Sequence, residues 1–213
     1  MDITMWIDKL AYKLRRFAIP SLMKYIVLAM GAVFVLDFVF LGRVTSLLAF
    51  SRAAIMSGQI WRILSFIFIP VDSSPLFILF ALYFYWLIGE ALEREWGAAK
   101  FNLFYLTGIL GSIAAGWITG FATNHYLNLS LFFAFAILYP EFELLLFFVL
   151  PIKIKWLAVI DAVYFVYLLI VSGWPQRIAL LVAIANILIF FEKDVRNRIH
   201  QYRRRQQWRN HFK

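Results

Sequence analysis

The sequence has no cysteine, which excludes a disulfide scaffold, thiolate metal sites and a cysteine nucleophile. Charge is scarce as well. Asp, Glu, Lys and Arg make up 15% of the 213 residues, against 63% hydrophobic residues and a mean hydropathy of +0.78. A soluble domain carries roughly 45–50% apolar and about 25% charged residues, so this chain has too little polar surface to stay in solution as a globule. The apolar content also excludes disorder. With only three histidines there are few candidates for a general base, and neither a metal site nor a cofactor motif is read from the sequence. What the composition does supply is long apolar runs. They point to an all-α polytopic membrane protein of one compact domain.

A helix needs about 20 mostly apolar residues to cross a hydrocarbon core of roughly 30 Å. Six runs are candidates: Met23–Leu41, Leu76–Leu92, Phe101–Phe121, Leu127–Leu138, Trp156–Ile170 and Ile178–Phe191. The fourth and sixth have 12 and 14 residues, which reach only about 18 and 21 Å at 1.5 Å per residue. Either they extend beyond these bounds, or neighbours shield them, or the bilayer thins around them. The apolar stretch after Glu141 and Glu143, broken by Pro151, Lys153 and Lys155, reads as interfacial in its first part.

Lys and Arg set the expected orientation. Seventeen of the 21 fall in the N-terminal arm, the second and fourth connections and the tail; Arg43, Arg52, Arg62 and Arg177 fall on the other side. Both termini are therefore expected in the cytoplasm, with residues 1–22 as an amphipathic arm, 23–191 as the membrane domain and 192–213 as a basic tail. No cleavable signal peptide is read, because the first 22 residues lack a continuous apolar core. In the arm, Ile7, Leu10, Leu14 and Phe17 recur at helical spacing between Lys9, Lys13, Arg15 and Arg16, a pattern suited to anionic lipid. The tail, with Arg203-Arg204-Arg205 and Trp208, is read the same way, and no specific nucleic acid partner is expected. The third span carries Gly108, Ser112, Gly116 and Gly120 four apart, one face on which a neighbouring backbone can approach closely.

Three segments carry a resemblance. Gln59-Ile60-Trp61-Arg62 stands in the loop after the first span. Leu87-Ile88-Gly89-Glu90-Ala91-Leu92-Glu93, followed by Trp96-Gly97, closes the second span. Phe135-Ala136-Ile137-Leu138-Tyr139-Pro140 leads into Leu145-Leu146-Phe147-Phe148 and Pro151-Ile152-Lys153. In order and spacing they resemble the rhomboid family of intramembrane serine proteases and their inactive relatives. The resemblance runs over about Met23 to Phe191 and implies a six-helix core with a short fourth helix. Trp61, Arg62, Glu90 and Glu93 would be its structural motif residues.

A rhomboid protease cuts a peptide bond within the membrane using a Ser–His dyad. The family serine stands in Gly-x-Ser-Gly at the start of the fourth helix and the histidine comes from the sixth. A His and an Asn on the second helix help form the oxyanion hole. Carried over, the motif becomes Asn128-Leu129-Ser130-Leu131, so the serine survives without either glycine. The second-helix histidine falls on Phe77 and the asparagine on Ala81, and the sixth-helix histidine falls near Leu180. Serine is a poor nucleophile without a base in hydrogen-bond reach, and Ile178–Phe191 has no His, Lys, Asp or Glu. His125 lies five residues before Ser130, about 140° around a helix. Ser130 is therefore read as a vestige whose hydroxyl bonds nearby backbone.

Acidic residues within spans are costly and often functional. Glu90 and Glu93 have Arg94 and Lys100 nearby in sequence, and Asp37 can reach water or Arg43. Asp161, five residues into its span, is the candidate buried acid, with structural pairing favoured over proton or ligand handling. The resemblance implies a pseudoprotease that binds transmembrane helices of client proteins without cleaving them, in recognition, quality control or trafficking; a bacterial plasma membrane is the expected location. In that reading Phe77, Ala81, Asn128, Leu131 and Leu180 remodel the former active site. The alternative is a protease with residual or unconventional activity at Ser130. A transporter or channel has less support, since no span shows a repeated polar face and no internal repeat is seen.

Overall fold

The computed structural model describes residues 3–70, 74–146 and 150–190. Its chain order is α1 (Ile3–Leu14), α2 (Leu22–Val39), α3 (Arg43–Leu48), α4 (Arg52–Met56), α5 (Arg62–Ser65), α6 (Pro75–Trp96), α7 (Ala98–Thr119), α8 (His125–Leu138), β1 (Glu143–Leu146), β2 (Leu150–Lys153) and α9 (Ile154–Val171). The last described helix is α10 (Trp174–Phe190). The basic tail, with His200 and His211, lies outside the described residues.

Among the described residues three helices, α2, α7 and α9, are long and apolar enough to cross a membrane. α6 has 22 residues but holds Glu90, Glu93, Arg94 and Glu95 in its last two turns. α8 and α10 are apolar and shorter; at 1.5 Å per residue they extend about 21 and 26 Å. The helical, apolar build suits a membrane protein.

Local chemistry sets the helix ends. α6 begins with Pro75 at its first position, where proline's fixed φ suits a helix and its missing N–H goes unneeded. It stops at Gly97, whose φ of +80° lets the chain reverse directly into α7 at little steric cost. α7 stops at Gly120, φ +96°, and α8 stops before Tyr139-Pro140, since proline cannot continue the ladder. The start of α2 is held from a distance: the Glu93 carboxylate accepts a hydrogen bond from the Ser21 backbone N–H at 2.7 Å. An acceptor there satisfies one of the helix's orphan donors and complements its dipole.

α8 is the central helix, with eight of its fourteen residues buried. It packs on α6, α7 and α9. α9 is the peripheral one: 11% of its span is buried, against 39% for α7. Val159, Val163, Val166 and Ile170 turn outward, exposed. Exposed apolar surface of that extent along a helix fits contact with lipid better than with water. α1 packs on α7 through buried Ile7 and Ala11, so part of the arm's apolar stripe meets protein, while Lys9, Lys13, Arg15 and Arg16 stay exposed.

Gly108, Gly111 and Gly116 of α7 are close-packing positions, whereas Gly120, at the helix end, has open space beside it. A Cβ on Gly108 would collide with Leu127 of α8 and Asn186 of α10, and one on Gly111 with Val182 of α10. This is the close helix approach that small residues permit in membranes.

One element departs from an all-helical reading. β1 and β2 form a two-stranded antiparallel hairpin in the register Glu143↔Lys153, Leu144↔Ile152, Leu145↔Pro151 and Leu146↔Leu150. Glu141 at its base accepts from Lys153 at 2.8 Å and Lys155 at 2.5 Å. A short apolar run reads alike as helix, strand or interfacial segment; here the charges at both ends of the run pair with each other and close it into a hairpin.

Candidate functional site

The loop between α2 and α6 is organised by Arg62, which is only 8% exposed. Its Nη1 donates to the carbonyls of Ser46 and Ala49, both at 2.7 Å, and its Nε to Gln59 Oε1 at 2.6 Å. Trp61 Nε1 donates to the Leu47 carbonyl at 3.2 Å and Ser65 Oγ to that of Leu48 at 2.8 Å. The fork of a guanidinium can serve several acceptors at once, so one side chain of α5 gathers the end of α3 and the turn after α4. Arg52 fixes this loop to the end of α7 through the Trp117 carbonyl at 2.9 Å. Asn124, just before α8, donates to the carbonyls of Ile67 and Ile69 at 2.9 and 2.7 Å, tying the loop to the helix that carries Ser130.

Ser130 is 1% exposed. Its Oγ donates to the Leu127 carbonyl at 2.7 Å, its one hydrogen bond among the described residues. His125, the first residue of the same helix, is set about 140° around the axis from it. Leu131 is fully buried in the main apolar core, whereas Leu180 belongs to a second cluster with Phe165 and Ala183. That cluster takes Tyr126, Leu129 and Phe133 from α8; Ser130, four residues after Tyr126 and three before Phe133, lies on the same side of the helix, whereas Leu131 turns to the main core. Phe77 is 47% exposed and Ala81 is half-buried. Asn128 is 2% exposed.

Phenylalanines connect the helices around this region. Phe80 stacks on Phe84, Phe84 meets Phe132, Phe132 meets Phe133 and Phe133 meets Phe165, with centroids 5.8–6.2 Å apart. The row runs from α6 across α8 to α9. Such contacts bury large apolar area with few oriented polar groups.

Of the acidic residues, Glu90 pairs with Arg94 at 3.3 Å and Glu93 takes the start of α2. Asp37 accepts from the Thr45 N–H and hydroxyl at 2.7 and 2.8 Å, so its partner is Thr45, one turn into α3, rather than Arg43. Asp161 lies half-buried on the inward stripe of α9 with Ile154, Ala158 and Phe165; it interacts electrostatically with His125 and forms no hydrogen bond or ion pair among the described residues. Among the described residues no group of three His, Asp or Glu is placed to hold a metal ion.

Asn186 was not singled out in the sequence, yet it couples α10 to α7. Its Oδ1 accepts from Thr107 Oγ1 at 2.8 Å, and its Nδ2 reaches the Phe104 carbonyl at 3.4 Å. The available signal was a lone amide inside an apolar span, which needs a partner.

No family model matches the chain, and no curated protein matches it.

Proposed function

We propose that this chain is a rhomboid-like pseudoprotease with six spans and both termini cytoplasmic, which binds transmembrane segments of client proteins without cleaving them. The observation that carries this reading is the state of Ser130. Its proton is committed to the Leu127 carbonyl and the side chain is 1% exposed. A serine nucleophile requires a base at hydrogen-bond distance, and here Ser130 has none among the described residues. Further support comes from the short central α8 and the arginine-organised loop after the first span. The positive arm supports contact with an anionic leaflet.

Client binding is assigned to the lateral face between α6 and α9. α9 packs on α8 and, through Phe165, on Leu180 and Ala183 of α10, with 11% of its span buried, and the phenylalanine row lines the route inward. A transmembrane helix meeting this face gains dispersion contacts without needing polar partners.

A photocrosslinking amino acid at Phe77 or Tyr83, both exposed on α6, tests the reading in native membranes. Adducts of defined mass are expected from these positions and not from Leu28, which is exposed on α2. Equal adduct patterns from all three positions would refute a specific client face. Labelling by a fluorophosphonate probe that disappears in Ser130→Ala would instead establish the protease reading.

A further inference from the structure

α6, α7 and α8 pack on one another in a triangle, and each carries a polar residue: Tyr85, Tyr105 and Asn128. Asn128 of α8 and Tyr105 of α7 are 2% and 1% exposed. The Asn128 Oδ1, the Asn128 Nδ2 and the Tyr105 hydroxyl all lack a hydrogen-bond partner among the described residues. Tyr85 of α6 links the two: its hydroxyl approaches the Asn128 side chain and is in electrostatic range of Tyr105. Neither Asn128 amide atom, however, meets hydrogen-bond geometry.

Buried polar atoms are paired with protein or with ordered water in the great majority of native structures. In a span the requirement is stricter, because lipid offers no alternative partner. Three orphaned atoms on neighbouring helices thus call for a common partner that both donates and accepts. Asn128 supplies two donors and a carbonyl acceptor, and each phenol supplies a donor and an acceptor. A water needs two to four polar partners to be held internally, and this set provides them.

We propose that Tyr85, Tyr105 and Asn128 form an internal water site that joins α6, α7 and α8 within the membrane. The site is independent of whether the chain binds clients. It uses the position that aligns with the first glycine of the rhomboid motif for a structural polar contact.

Water-edited solid-state NMR on proteoliposomes with 15N-labelled asparagine tests it. Asn186 is the internal control, because it is similarly buried but satisfied by Thr107 and Phe104. The Asn128 side-chain amide is expected to receive magnetisation from water several-fold faster than that of Asn186. In Tyr105→Phe, which keeps the ring and removes only the hydroxyl, that advantage is expected to fall. A build-up at Asn128 no faster than at Asn186 would overturn the proposal outright. A fast build-up that Tyr105→Phe leaves unchanged would overturn the three-residue site.

Discussion

Replacing Arg62 with alanine is the most informative perturbation of the scaffold. The guanidinium is 8% exposed and serves two backbone carbonyls and the Gln59 amide. Its removal leaves the Ser46 and Ala49 carbonyls without that donor, and an unsatisfied buried acceptor costs about 1–3 kcal/mol. The loop is near the surface, so water recovers part of the loss, and we expect a net destabilisation of about 2–4 kcal/mol. Arg62→Lys should recover less than half of it, because a single ammonium lacks the fork that spans three acceptors. Equilibrium unfolding in bicelles measures the stability, and limited proteolysis reports whether 43–65 opens first. Trp61→Phe is the control, since Trp61 is half exposed and makes one 3.2 Å bond; its cost should stay near about 0.5–1.5 kcal/mol. If Arg62→Ala cost no more than Trp61→Phe, the loop would not depend on the arginine and the reasoning would fail.

Four further predictions rest on local contacts. Gly108→Ala places a Cβ against Leu127 and Asn186 and should destabilise by about 1–3 kcal/mol. Gly31→Ala makes only an ordinary 3.5 Å contact with Leu82 and should be neutral or stabilising in the same unfolding assay. A double-mutant cycle of Thr107→Val and Asn186→Leu should give a coupling of about 0.6–1.7 kcal/mol; additivity would show that the 2.8 Å bond contributes nothing. The Glu141 carboxyl is lowered from 4.5 to about 2, by hydrogen bonds first from Lys153 and then Lys155. A depressed carboxylate stabilises above its ordinary pKa and loses that contribution as pH falls through the folded value. The hairpin base should therefore persist below pH 4.5 and open towards pH 2, with Lys153→Ala moving the 13C-detected midpoint upward.

The parts of the fold legible in the sequence were those set by local chemistry. Apolar runs bounded by charge or by Tyr139-Pro140 mark the helices, and the spacing of Gly108, Ser112 and Gly116 marks a packing face. What stayed hidden depends on partners distant in sequence. Nothing near Glu93 indicates that it would hold the Ser21 N–H 72 residues away, nor does anything near Asn186 name Thr107. The hairpin was missed because Leu144 to Leu150 is too short and too uniformly apolar for its periodicity to distinguish strand from interfacial helix. At the site, alignment to the motif brought out Ser130 and Asn128 as positions. The Ser130 hydroxyl bonding back to Leu127 is the local contact expected of a serine within a helix; the burial of the Asn128 amide without a hydrogen-bond partner among the described residues follows from helix packing and has no sequence signature.

The central claim is most directly tested in liposomes that contain the purified protein and a generic rhomboid transmembrane substrate, with wild type beside Ser130→Ala and an active rhomboid as positive control. The account predicts full-length substrate with both variants while the control cleaves. Fragments from the wild type that vanish in Ser130→Ala would contradict it, and would mean that the Ser130 hydroxyl leaves the Leu127 carbonyl and finds a base.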